Sequence, residues 1–444
     1  MQTTIDWLRK QEAIRVKVGV TDVDGVLRTK YLSAEKVVSS LEKGFGFCNV
    51  IFGWDSQDAL YPHQPDGGFA DLAARIIPES RRNIPWENDL PFLLTDFSEA
   101  KHPVAAACPR SLLIRVLSKA KKMGFTARFG PEFEWFTYRE TPNSLTKKGH
   151  QNPAPLTPGM FGYSGLRTSQ HADFYQDLFD QLAAFNTNIE GLHTETGPGV
   201  MEAALSHQEA LEAADRAVLF KQGVKSISYR HGLLASFMAK PSADLPGCGG
   251  HLHQSLWREG ENVFFDGDGK HQISKTMRQY VAGQQTLLPY LMPLFAPNVN
   301  SYKRYVAGSW AATRANAGID NRTVALRIIP GGMKSTRLET RVPGADVNPY
   351  LAIAGALAAG LYGIEHKLKL PTKLVKGSAY DQTVGLPLPQ NLGAAAGAMK
   401  GWKGAGDLLG RGFSEHFIRT REWEWQEFLS SVTDWERRRY FESA

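Results

Sequence analysis

The chain has 444 residues, with 42% hydrophobic and 22% charged residues and 51 Lys and Arg against 45 Asp and Glu, a net charge of +6. That length predicts two domains, one much larger than the other, and the composition is that of a globular protein with a sizeable core. The mild basic excess reads as a solvated surface, and the absence of any Lys/Arg-rich tract or zinc-finger spacing argues against nucleic acid as a partner.

In chain order, MQTTIDWLRKQEAIRVKVGVTDVDG is amphipathic with no continuous apolar run, so no secretory signal is expected and a cytoplasmic protein is read. RVKVGVTDVDGVLRTKYL predicts two strands joined by a turn at Asp24-Gly25. SAEKVVSSLEKG then predicts a helix capped by Ser33 and stopped at Gly44. One more strand lies in PWENDLPFLLTDFSEAKHPVAAACPRS, and a helix begins near Pro109-Arg110. A domain boundary near residue 105 separates a small unit, residues 1–105, from a large one, residues 106–444. Strands are expected in TARFGPEFEWFTY, GCGGHLHQSLW, VALRIIP and STRLETRVPG. Helices are expected in HQEALEAADRAVLFKQGVKSISYRHG, in SKTMRQYVAGQQTLLPYLMPLFAP and after Asn348. KKGHQNPAPLTPGMFGYSG is a Gly/Pro-rich loop. The most apolar stretch, residues 350–364, falls short of the roughly 20 residues a bilayer requires, so it reads as a buried helix, with no membrane partner. The aromatic-rich C-terminal tail reads as a packing helix. Cys48, Cys108 and Cys248 lie far apart without a C-x-x-C, which suits a reducing compartment and argues against both a disulfide framework and a thiolate metal site.

Polar residues recur at every second position inside apolar strands. Glu132 and Glu134 share one face while Phe133 and Trp135 share the other. His251 and His253 repeat the pattern, as do Arg337, Glu339 and Arg341, and Glu195 and Glu202 flank a Gly-Pro-Gly turn. Exposed acids on a half-buried strand explain one such pair. Several strands converging charge on one place are costly unless cations and anions neutralise it. Carboxylates with an imidazole suit Mg²⁺ or Mn²⁺ rather than zinc. Arg304, Arg322, Arg327, Arg337 and Arg341 add five guanidiniums in a short span, and the P-loop, HExxH and G-x-S-x-G signatures are missing. Phosphoryl transfer on a scaffold unlike the common NTPases follows.

With these motifs the chain resembles glutamine synthetases nearly end to end: VTDVDG, GPEFEWF, HTETGPGVME, the block from Lys240 through HLHQSL, NSYKR, DNRTVALR and TRLETRVPGADVNPYLAIAGAL. The resemblance implies an α+β protein, with an N-terminal β-grasp domain and a catalytic domain built on a curved antiparallel sheet with helices. It implies a homo-oligomer of hexameric rings, stacked as a dodecamer, with ATP and two or three Mg²⁺ or Mn²⁺ ions per site. Carried over by position, Glu134, Glu195 and Glu202 hold the metal nearer the amino-acid substrate, and Glu132, His251 and Glu339 the metal at the ATP phosphates. Arg304 and Arg341 hold the substrate carboxylate and the transferring phosphoryl group. Arg322, Arg327, Arg337, His253 and Ser255 match nucleotide and phosphate positions, and Gly247 and Gly249 match substrate positions.

Three departures concern the second substrate. Trp310 stands where ammonia-using members carry a Glu, and Pro246 stands where an Asn helps hold glutamate. The Asp that helps accept the amine's proton has a loose counterpart in Asp55, with Asp58 as a rival. Tyr380 falls near a position that is nucleotidylated in some bacterial members, and no modification is expected. Together these departures resemble the branch that joins glutamate to organic amines as γ-glutamylamides. An ammonia-using synthetase, a catalytically silent, lengsin-like homologue and, from Pro246, a ligase for an acid other than glutamate are the alternatives.

Overall fold

A computed structural model describes residues 1–62, 68–98 and 102–444. It is an α+β protein with two main sheets. The first holds β1 (Arg15–Thr21), β2 (Leu27–Ser33), β3 (Phe45–Cys48), β4 (Asp71–Ile76), β5 (Arg82–Ile84) and β6 (Leu90–Asp96). The β1–β2 hairpin forms because Asp22 Oδ1 accepts from the backbone of Asp24 and Val26 (3.0 and 2.9 Å), while Gly25 takes a φ of 83° that other residues avoid. Ser33 then caps the helix Ala34–Ser40, and β1 pairs in parallel with the fully buried β6, the arrangement of a β-grasp unit.

The second sheet is larger and almost wholly antiparallel. Its strands are β7 (Thr126–Tyr138), β8 (Ile189–Thr194), β9 (Val200–Leu205), β10 (Gln208–Glu209), β11 (Leu234–Ser236), β12 (Leu252–Arg258) and β13 (Glu261–Asn262). A separate two-stranded pair joins β14 (Arg314–Ala315) to β18 (Leu386–Pro387), and β15 (Ala317–Ile319), β16 (Leu326–Ile329) and β17 (Arg337–Thr340) complete the large sheet. Its main order is β15-β16-β17-β12-β7-β9-β8, with one parallel pair, β15–β16. β7 therefore runs through the middle, with β12 on one side and β9 on the other.

The apolar face of this sheet packs on helices. Phe133 and Trp135 are fully buried against Phe220 of the helix Ala210–Arg230 and against Phe237. The apolar stretch read as a buried helix is the helix Pro349–Glu365, capped by Asn348. It crosses the helix Lys275–Phe295 so closely that a Cβ on Gly283 would lie 2.1 Å from the Ala359 carbonyl oxygen. No helix among the described residues is long and apolar enough to cross a membrane.

A buried ionic knot joins the small sheet to three helices of the larger unit. Arg110 on the helix Pro109–Lys122 meets Asp96 of β6 at 2.6 Å and Asp215 at 2.9 Å, and Tyr350 donates to Asp215 at 2.6 Å. A second tie comes from the helix Arg411–Ser430, where the buried Arg421 pairs with Asp24 at 2.5 Å and bonds the Pro297 carbonyl.

Candidate active site

Strand register assembles the charged groups. Arg327, Glu339 and His253 stand opposite one another across β16, β17 and β12, and Glu134, Glu202 and His193 do so across β7, β9 and β8. Directly opposed residues of antiparallel strands bring their Cβ atoms to about 5 Å. Just before β12 the chain still runs beside β7: Glu132 N–H donates to the His251 carbonyl at 2.9 Å and Glu134 N–H to that of Gly249 at 3.0 Å. Those bonds hold His251 level with the two glutamates.

Two groups of donors result. Glu132, His251 and Glu339 place ligand atoms within 4.8 Å of one another, and so do His193, Glu195 and Glu202. In the first group His251 Nδ1 lies 3.5 Å from both Glu132 and Glu339. Burial works against the charge of Glu132, yet His251 and His253 hold it well below the ordinary carboxylate range. Glu339 is likewise held low despite burial, by His251, Arg341 and His253. Arg337 Nε donates to His253 Nδ1 at 3.0 Å, so the ring carries its proton on Nε2 and donates it to Glu132 at 2.9 Å. Glu339 accepts from Arg327 at 2.8 Å and also from Arg341.

The second group is more acidic. Burial, followed by Glu134, Glu132 and Glu195, drives the Glu202 pKa far above its usual range. Glu195 moves the other way, lowered chiefly by His193. His193 Nε2 is 3.6 Å from both Glu195 and Glu202, and Tyr163 stacks flat on its ring at 4.3 Å. Glu134 accepts from the Gly249 N–H at 2.8 Å, and a Cβ on Gly249 would lie 2.6 Å from His251, so only glycine fits there. Oxygen-rich sets with one imidazole each fit a hard divalent cation. Glu134 lies outside the second group of clustered ligand atoms, but its charge, with those of Glu132 and Glu195, acts on Glu202 and helps raise its pKa.

A cavity of about 330 Å³ adjoins Glu132 and is lined by His253, Ser255 and Arg337, three of the residues expected at the nucleotide. Arg128, Trp257 and Lys334 line it as well, with the Arg128 guanidinium 4.8 Å from the Trp257 ring. Arg322 and Arg327 stand outside that lining. Arg341 Nε donates to the Arg322 carbonyl at 3.0 Å. Arg304 is buried, with Nη2 bonded to the carbonyls of Val342 and Pro343, and Gly247 lies against its methylenes.

Elsewhere the loop residue Trp310 is 61% exposed with a φ of 59°. Asp55 sits apart from the carboxylates. It accepts from Gln57 N–H and Ala59 N–H (2.8 and 3.0 Å) and from Trp423 Nε1 (3.2 Å), while Asp58 pairs with Arg28. Sequence reasoning passed over His193, Tyr163, Trp257 and Lys334. The H-x-E spacing of His193, on β8, and Glu195, one residue past its end, was the available signal for the first, whereas Tyr163 lies in a loop without period.

The catalytic-domain model of the glutamine synthetases matches residues 106–440. The chain is 48% identical to "Type-1 glutamine synthetase 2" of Dictyostelium discoideum over 96% of its own length and 83% of that protein's. It is 33% identical to the glutamate–isopropylamine ligase of a Pseudomonas species, over 98% of this chain and 97% of that one. A solved structure of GmaS in complex with ADP superposes with a TM-score of 0.85 at 29% identity, covering 99% of this chain and all of the other.

Proposed function

The chain belongs to the glutamine synthetase family, ATP-dependent carbon–nitrogen ligases that use divalent metal ions, and from that premise we propose that it joins the γ-carboxylate of glutamate to an organic amine. A carboxylate is a poor electrophile. In this reading ATP gives its γ-phosphoryl group to the glutamate γ-carboxylate, leaving ADP and an acyl phosphate. The amine nitrogen then attacks the carbonyl carbon, the C–O bond to phosphate breaks, and a proton leaves the nitrogen.

Each residue has a task in that sequence. Arg304 holds the substrate carboxylate, and Arg341 faces the group in transfer, where a fixed guanidinium is most effective. Arg322 acts beside Arg341, and Arg327 keeps Glu339 charged through its 2.8 Å bond. His253, Ser255 and Arg337 line the nucleotide cavity, with Arg337 fixing the His253 tautomer. Gly247 and Gly249 allow the backbone to approach the substrate. Glu132, His251 and Glu339 form one cation seat, and Glu134, Glu195 and Glu202, with His193 beside them, form the other. Mg²⁺ or Mn²⁺, bound there, supplies the positive charge that offsets the phosphates and carboxylates. Asp55 is assigned the amine's proton. Its place at the site comes from a second subunit in a ring-shaped homo-oligomer.

The amine, rather than ammonia, is favoured by Trp310. An aromatic in a loop with 61% of its surface exposed has no carboxylate to offer ammonium, and it presents an apolar face to a carbon substituent or a cation. Tyr163, 74% exposed and stacked on His193 beside Glu195 and Glu202, adds a second ring. The test is ADP release with ATP, Mg²⁺ and glutamate, comparing ammonia with alkylamines, polyamines and anilines. An amine with the highest kcat/KM supports the reading. Ammonia ahead of every amine favours the ordinary synthetase, and no metal-dependent ATP binding favours a silent homologue.

A further inference from the structure

A groove of about 490 Å³ lies between the helix Ala210–Arg230, strand β11 and the β1–β2 turn. The period of two along β7 separates it from the ligase centre. Glu132 and Glu134 belong to the site, whereas Phe133 and Trp135 face the helix and Phe237, which lines the groove.

Lys221 and Lys225, one turn apart on that helix, both line the groove. The Lys221 ammonium lies 5.5 Å from the centre of the Phe237 ring and 5.7 Å from that of Phe133, and the Lys225 ammonium lies 5.9 Å from Phe237. Two like charges thus converge on one aromatic ring. Lys221 donates one hydrogen bond, to the Val347 carbonyl at 3.0 Å. Among the described residues neither lysine has a carboxylate within 4.0 Å.

The two acids on the groove wall are engaged elsewhere. Asp24 pairs with Arg421, and Asp346 accepts from Asn298 and Ser301 through Oδ2 (3.0 and 2.5 Å). Asp346 Oδ1 is buried without a partner. Burial and the charge of Lys225 bring the Lys221 ammonium down to about 7, against a smaller opposing pull from Asp346. Lys225 stays exposed at the mouth of the groove, whereas Lys221 is half-buried, and holding that cation away from water without a counter-charge costs free energy that an anion in the groove recovers.

We propose that this groove is a second binding site, apart from the ligase centre, for a small organic anion bearing a carboxylate or phosphate, with Lys221 and Lys225 as its paired contacts. Val26, Leu233 and Phe237 supply an apolar floor for the body of the ligand. The groove has a physical line to the substrate arginine. A Cβ on Gly344 would lie 2.5 Å from Asp346 Oδ1 and 3.6 Å from Arg304 Nε, two buried polar atoms that both lack a hydrogen bond.

The test is trace acetylation of the full chain, read residue by residue by peptide mass spectrometry, with succinate or inorganic phosphate as the probe. Site-resolved labelling needs no turnover, so it stands or falls separately from the choice of amine. The expected result is several-fold slower acetylation of Lys221 and Lys225 with unchanged labelling of the exposed Lys43. Protection by succinate alone assigns a carboxylate, and protection by phosphate alone assigns a phosphate ester. In Lys225→Gln the protection of Lys221 is lost while kcat without probe is retained. Equal protection of Lys43, no protection by either probe, or protection of Lys221 that survives in Lys225→Gln overturns the proposal.

Discussion

Glu202 stands opposite Glu134 on one side and His193 on the other, and its burial among carboxylates keeps it protonated well above the usual range. A divalent cation must displace that proton. Binding of Mg²⁺ or Mn²⁺ near neutral pH is therefore expected to release a proton, and affinity to rise with pH. Calorimetry in buffers of different ionisation enthalpy measures the release directly. Glu202→Gln, which has no proton to lose, abolishes that contribution and weakens binding. At Trp310 the expectation concerns choice of substrate. Trp310→Glu restores a carboxylate in the loop and shifts kcat/KM from amines toward ammonia, on the order of ten-fold, a change of about 1.4 kcal/mol in transition-state binding. The same steady-state assay, run with both nucleophiles, measures it. Unchanged preference would mean that the indole only fills space.

Elements explain what the sequence made legible. β7 stood out because Glu132 and Glu134 interrupt Phe133 and Trp135 at strict alternation, so both its ends were readable to the residue. β9 did not, since Val200–Leu205 is short, largely buried and begins at the turn that drew attention to Glu195 and Glu202. The place of His193 beside Glu202 depends on the β8–β9 register, which no local pattern encodes. The same holds for Asp55, whose hydrogen bond to Trp423 spans most of the chain. The helix Pro349–Glu365 was visible from its apolar run, but its contact with the helix Lys275–Phe295 was not. There Gly283 and Gly363 meet backbone with no room for a methyl group. Gly283→Ala is expected to cost about 3 kcal/mol, the upper end for overpacking, because backbone cannot swing aside. Urea midpoints against wild type measure it.

Across the whole molecule, two polar ties join the small sheet to the catalytic unit. In the first, burial opposes the charge of Asp96, yet Arg75 and Arg110 hold its pKa below the ordinary value. Arg110→Ala leaves Asp215 buried without its guanidinium and Asp96 with Arg75 alone, and is expected to cost about 3–5 kcal/mol of stability, read from urea midpoints. The second tie, through Arg421, has His416 beside it, edge-on to Tyr61 at 6.3 Å. Burial, then Arg419 and Arg421, bring its pKa down to about 4 from 6.5. Between those values the unfolded chain binds a proton that the native state refuses. Stability therefore rises with pH across that window, by at most about 1.4 kcal/mol per pH unit, and is lost as pH falls. His416→Gln flattens the slope, as urea midpoints measured from about pH 5 to pH 7 would register.

The two-faced strand β7 has a consequence for how the gene can change. Its outward face carries the ligands and its inward face the core, so a single-codon deletion between Thr126 and Glu132 would exchange the two faces at once. Glu132 would then enter the packing around Phe220, and Phe133 would enter the cation seat. Outside Glu132 and Glu134, substitutions within β7 are individually tolerable wherever size and polarity are kept, whereas insertions and deletions are not. Descendants of this chain are therefore expected to vary in the residues of that segment and to keep its length.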